Sequence, residues 1–299
     1  MSDELPAVAQ AGEAGAQPGG TWGSTLTTQE FAAVRGVGFE PVGQVFGAAV
    51  YAAGDARGYG CPGARESSGA TTPAAHVPGR GDLGSFGLVV EAMYRARDTA
   101  LGRMAAECAG LGGHGVVGVR LRRGAFLLGG LEFTAIGTAV RAPDAAPGRG
   151  ASFTSALSGQ DFAKLIRAGW VPAGLALGIA IGSRHDDRAT ARQARRWSGN
   201  VEVAGWTELV SRSRHDARRA LEGDVRRLGA EGVVIAGMQM RARERDCPAA
   251  AGRRDHVVEA TITGTAIARF ARAGHRRTSP ALTVMPLSPQ RRQAARTSI

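Results

Sequence analysis

The chain has 299 residues, a hydrophobic content of 43% and a formal net charge of +11, so it can bury two ordinary cores and is too apolar to be a disordered polyelectrolyte. Lys164 is the only lysine, and six arginines beyond Phe270, unaccompanied by any acid, make up more than half of the excess charge, so the basicity is concentrated in a tail. Three cysteines without close spacing exclude a disulfide framework.

Residues 1–25, rich in Ala, Gly, Pro and Gln, have neither the basic start nor the apolar stretch of a secretory leader; a disordered tail of a cytoplasmic protein is expected. Thr27 and Glu30 then form a capping box that opens a short helix, with Phe31 and Val34 on its apolar side. "GFEPVG" follows. Gly38 is placed where a left-handed residue ends a helix, and Phe39 begins a strand and packs inward. Pro41 suits a strand start or edge, and Gly43 permits a bulge or close backbone approach. "VGQVFGAAVY" reads as that strand. "GYGCPGARESSGATTPAAH" reads as a surface loop, although Gly58, Gly60 and Gly63 match a phosphate-cradle spacing after a strand.

A long helix is predicted next, carried by Phe86, Val89, Val90, Met93, Ala100, Met104, Cys108 and Leu111 at helical spacing. Gly110, Gly112 and Gly115 lie between a helix and a strand, the reverse of the dinucleotide-binding context, and read as a helix stop and tight turn. "GVVGVRLR" and "LEFTAIGTAVRA" form a strand hairpin. "RAPDAAPGRGAS" reads as a linker.

The chain then repeats itself. At an offset of 131, Gln29, Phe31, Ala32, Gly38, Pro41 and Gly43 meet Gln160, Phe162, Ala163, Gly169, Pro172 and Gly174. Ser158 and Asp161 form a second capping box, Gly169 and Trp170 take the places of Gly38 and Phe39, and "AGLALGIAIG" repeats the strand. The apolar run from Val171 to Gly182 is too short to cross a bilayer. "RHDDR" reads as a solvated loop. Trp206, Val210, Ala217, Leu221, Val225 and Leu228 mark a second long helix with arginines opposite; "GVVIAGMQM" and "VVEATITGTAIAR" close the second unit.

The expected architecture is α+β: a tandem repeat of two small two-layer β-α-β-β modules with antiparallel sheets and disordered termini. The boundaries are 1–25 for the N-terminal tail, 26–142 for the first unit, 143–152 for the linker, 153–270 for the second unit and 271–299 for a basic tail. Phe39 and Trp170 are expected at equivalent places, each buried against its own long helix. No catalytic constellation, nucleophile motif, cofactor site or metal-ligand spacing is present; Cys108 reads as a small core side chain, and Glu231 replaces His114 in the second unit.

"GFEPVGQVFGAAV", "AAECAGLGGHGVVGVRL" and the closing "GTAV" resemble the YbjQ-type family, with a more diverged second copy. The resemblance implies a non-enzymatic β-α-β-β module that assembles into ring-like homo-oligomers, and the family's heavy-metal label makes metal binding or sensing the alternative. Nucleic-acid binding through the basic tail is a second alternative. The expected partner is another copy of the chain, with no membrane, no cofactor and an unknown small ligand.

Overall fold

The computed structural model describes residues 23–52, 86–126, 130–142, 152–195, 199–246 and 254–270. Residues 1–22 and 271–299 of the tails, 143–151 of the linker, Cys61 with its glycine-rich loop, and Cys247 fall outside these residues; Ser24 and Thr25, expected in a disordered tail, are instead hydrogen-bonded to Thr138 of the first unit.

Helix α1 (Thr28–Arg35) opens on a complete capping box between Thr27 and Glu30. Strand β1 (Glu40–Ala52) leads to helix α2 (Gly87–Gly110), strands β2 (Gly115–Phe126) and β3 (Gly130–Arg141), and the short β4 (Phe153–Thr154). Helix α3 (Gly159–Arg167), strand β5 (Trp170–His185), the short helix α4 (Arg188–Gln193), helix α5 (Ala204–Arg227) and strands β6 (Gly232–Asp246) and β7 (Arg254–Arg269) follow. The second cap is built differently from a full box. Ser158 Oγ takes the Asp161 N–H, but the Asp161 carboxylate accepts from the Ser158 hydroxyl at 2.8 Å.

The protein is α+β, with two antiparallel sheets ordered β1-β3-β2 and β5-β7-β6; β4 adds to the first in parallel, beside β2. Local geometry recurs between the units. Gly38 and Gly169 have φ of +84° and +82°. Both opening strands shift register at the same place, between Pro41 and Gly43 and between Pro172 and Gly174. A Cβ on Gly47 would collide with the Ala100 carbonyl, and one on Gly178 with the Ala217 carbonyl. These glycines let each long helix lie directly on its own sheet.

The cores differ. The α5 core joins Ala176, Ala180, Ala217, Leu221, Ala260 and Ile262 within the second unit. Helix α2 is apolar on two sides. Val90, Met93, Tyr94 and Ala96 join Ala49 and Phe133 of the first sheet to Leu177, Ile179 and Ile181 of the second. Val210, assigned to the buried stripe of α5, is instead 39% exposed, because nothing among the described residues covers that side of the helix.

The two opening aromatics are also placed differently from expectation. Phe39 is half-buried and packs across the seam between units, edge-on to Phe162 at 5.1 Å and to Phe153 at 6.3 Å. Trp170 is half-buried under the guanidinium of Arg269, 4.9 Å from the ring centre. Neither leans on its own long helix as its main contact; the strand starts at the sheet end where α1 and α3 meet.

Candidate assembly surface

The contact between the two units has three main parts, beside the ion pair of Arg123 with Glu259. The first is an added strand. Residues 153–157 lie along the outer edge of β2: Ser155 donates to the Val116 carbonyl (2.8 Å), Val119 donates to the Ser155 carbonyl (2.8 Å), and Gly118 donates to the Leu157 carbonyl (3.1 Å). Leu157, Phe162 and Ile166 then close over Val117. This covers an edge that would otherwise display unpaired backbone groups.

The second part is helix α2 against the edge and outer face of β5. The Tyr94 hydroxyl donates to the Leu177 carbonyl at 3.2 Å and accepts from the Ile179 N–H at 3.1 Å. Burial pushes its pKa up to about 12, so the phenol is neutral and keeps both roles. Arg97 donates to the Leu175 carbonyl and forms a buried ion pair with Asp224 at 3.2 Å. Asp224 in turn accepts the Leu177 N–H at 2.8 Å. The corresponding acid of the first unit, Glu107, accepts the Phe46 N–H at 2.6 Å, but no arginine of another unit joins it among the described residues.

The third part is the pair of short helices. Gln160 donates to Gln29, and the Gly159 N–H to the Glu30 carboxylate, both at 3.4 Å. The Glu30 carboxyl is held below its usual range, first by the Thr27 N–H and further by Gly159 and Arg120.

The same surfaces are bare on their unpartnered counterparts. Phe46 and Val50 of β1 are 48% and 47% exposed, whereas Leu177 and Ile181 of β5 are buried. Val234, Ile235 and Met238 of β6 are exposed, whereas Val117 of β2 is buried. Among the described residues no strand pairs with the outer edge of β6. The bulge also differs: two residues, Gly118 and Val119, interrupt the β2–β3 register, while Ala236 alone interrupts β6–β7.

Residues 83–143 match a family described as "Putative heavy-metal-binding". A second comparison covers both units. Encapsulin nanocompartment protein Rv1762c of Mycobacterium tuberculosis is 36% identical over 223 residues, spanning 71% of this chain and 75% of that protein. The chain belongs to the family of this mycobacterial protein and carries a YbjQ-type match in its first unit.

The repeat-motif residues singled out in the sequence, Gly38, Phe39, Pro41, Gly43 and their counterparts Gly169, Trp170, Pro172 and Gly174, gather at the ends of β1 and β5, beside α1 and α3. They shape the seam and present no reactive group. The metal label of the YbjQ-type family finds no fitting donor set here: among the described residues no three His, Cys, Asp or Glu side chains come together to hold an ion. Cys108 is buried, its thiol pKa pushed up by desolvation, and its Sγ donates to the Gly115 carbonyl at 3.4 Å.

Sequence reading missed the network around "RHDDR", which is half-buried and not a solvated loop. His185 Nδ1 lies 2.8 Å from Asp255, and His256 Nε2 lies 2.9 Å from Asp186. Trp206 packs on His256 and donates to Asp186 at 3.2 Å, while Asp187 caps α4. These partners lie 70 residues apart, on or beside the paired strands β5 and β7, which two helices and β6 separate in the chain, so they left no local signal. A cavity of about 270 Å³ also lies between the units, lined by Arg122, Arg123 and Phe133 on one side and Leu177, Gln239 and Arg241 on the other. No helix among the described residues is long and apolar enough to cross a membrane.

Proposed function

We propose that this chain is a non-enzymatic assembly module: a pseudo-dimer that associates with further copies of itself through sheet surfaces its two units leave uncovered. The observation carrying this reading is the asymmetry of equivalent side chains. Phe46 stands 48% exposed where its counterpart Leu177 is 1% exposed. An exposed apolar face with an unpaired edge beside it is a recognition surface in soluble proteins. The relative's name, which places it in an encapsulin nanocompartment, supports a role within a larger protein assembly.

Light scattering at micromolar concentration tests this. The expected mass is several times the 30.8 kDa of one chain. A single-chain mass overturns the reading, and one equivalent of zinc, copper or cadmium retained by that monomer moves it to the metal-binding alternative.

A further inference from the structure

We infer that one chain joins the next by repeating, between molecules, the contact its own two units make within the molecule. This rests on the assembly reading and names its interface: the second unit of one copy, through α5 and the β6 edge, receives β1, Glu107 and the arm Gly23–Leu26 of a second copy.

The arm is already shaped for that role. Within the second unit, the Ala156 N–H donates to Thr265 Oγ1 at 2.9 Å and the Leu157 N–H to Ser155 Oγ at 3.2 Å, leaving the other side of the segment to pair with β2. Within the first unit, the Thr25 N–H donates to Thr138 Oγ1 at 3.0 Å and the Leu26 N–H to Ser24 Oγ at 3.1 Å. Ser24 and Ser155, and Thr138 and Thr265, are counterparts in the repeat. Both arms are therefore held by their own units in the same way. A preorganised segment loses little conformational freedom when it binds.

The receiving edge corresponds residue by residue up to the bulge, where Ala236 alone interrupts the β6 register. By the repeat, Val116 of β2 corresponds to Val233 of β6, and Val119 to Ala236. The Ser24 N–H of a second copy meets the Val233 carbonyl, and its carbonyl meets the Ala236 N–H. Leu26 covers Val234, as Leu157 covers Val117.

The other half of the contact is matched at the arginine, although Ser211 stands on α5 where Tyr94 stands on α2. Arg97 bonds the Leu175 carbonyl and Asp224. Its counterpart on α5 is Arg214, exposed, and the counterparts of its targets are the Gln44 carbonyl and Glu107. Val210, counterpart of Met93, meets the apolar side of β1 at Phe46 and Val50. The bare β1 face, the free side of α5, the β6 edge and the arm are thus the two halves of one contact. Such a contact is heterologous: each chain offers one half at each end, so the series closes into a ring or continues as a filament.

The test uses two variants of the full chain, each spoiling one half: Phe46→Asp on the β1 side and Ile235→Asp on the β6 edge. Both positions are about half exposed, so the fold tolerates the charge; circular dichroism melts check it. The wild type is expected to assemble, and each variant alone to run as one chain in sedimentation velocity. Mixed in equal amounts, they should yield a species of twice the 30.8 kDa chain mass and no larger, because one good half from each variant makes a single contact. Arg214→Glu, on a solvent-facing position, should weaken the wild-type assembly at least tenfold without shifting the melt measured at a concentration where chains are separate. If the wild type assembles while either aspartate variant still assembles, or the mixture stays at one chain, the proposal fails and the assembly reading stands. If the wild type is itself monomeric, both fail.

Discussion

The outer faces of β1 and β5 are the same surface in two circumstances. On β5, Leu175, Leu177, Ile179 and Ile181 lie under the helix of the first unit. On β1 the counterparts are Gln44, Phe46, Ala48 and Val50, two of them about half exposed and no helix of another unit above them. The inner faces do not diverge: each carries a glycine, Gly47 or Gly178, pressed against the helix backbone. The helix-bearing face makes each unit fold. The opposite face decides what the unit joins.

The largest effect is expected where the units agree. Gly47→Ala and Gly178→Ala each force a methyl into a helix carbonyl that cannot yield without moving the helix, and should each cost about 3 kcal/mol or more. Urea unfolding checks this. If one is tolerated and the other is not, the two inner faces are not equivalent.

The next effect separates the outer faces. Leu177→Ala removes a buried side chain and should cost about 2–5 kcal/mol. Phe46→Ala, measured at a concentration where chains are separate, should cost less than about 1 kcal/mol, since half of that ring is already in water. Equal costs would mean that Phe46 packs within its own unit and offers no surface.

Tyr94→Phe comes third. It leaves the Leu177 carbonyl and Ile179 N–H buried without their partner, which should cost about 1–3 kcal/mol. Ser211→Ala, at the corresponding and exposed place on α5, should leave stability unchanged. A neutral Tyr94→Phe would show that water replaces the phenol and that the seam is open.

Much of the architecture was legible because it depends on local chemistry. Capping residues, a glycine after each short helix, and helical or alternating apolar spacing marked the elements, and their recurrence marked the repeat. What the sequence did not show was how the units meet. The apolar positions of α2 all read as one stripe, although Tyr94 and Arg97 turn from the first sheet to the second. Phe39 and Trp170 occupy the same place in their units, yet Phe39 gains Phe153 and Phe162 from across the seam. Position in a motif fixes a side chain's direction, and tertiary contact fixes what it meets there. The α5 stripe was overcalled at Val210 for the same reason: helical periodicity marks a face without telling whether anything covers it.

The smallest effect concerns acid. Glu30 and Asp161 occupy matching cap positions, and both carboxyls are held below their usual ranges. Asp161 takes its hydrogen bonds from Ser158 and Lys164 within its own helix, while Glu30 also reaches the Gly159 N–H of the other unit. A carboxylate whose folded pKa is depressed contributes its stability in full above the unfolded value, and loses it as the pH falls through the folded one. The Glu30 contribution should therefore be complete at neutral pH and disappear only below the ordinary glutamate range. Glu30→Gln should lower stability at pH 7 by about 0.5–1.5 kcal/mol and narrow the gap between the wild-type and variant melting curves as the solution is acidified. Asp161→Asn should show the same sign, but the loss should not extend to the contact between α1 and α3. Hydrogen exchange of the Gly159 amide reads that difference: faster in Glu30→Gln, unchanged in Asp161→Asn. An unchanged Gly159 amide in both would place the Glu30 effect wholly within its own cap and remove it from the seam between the units.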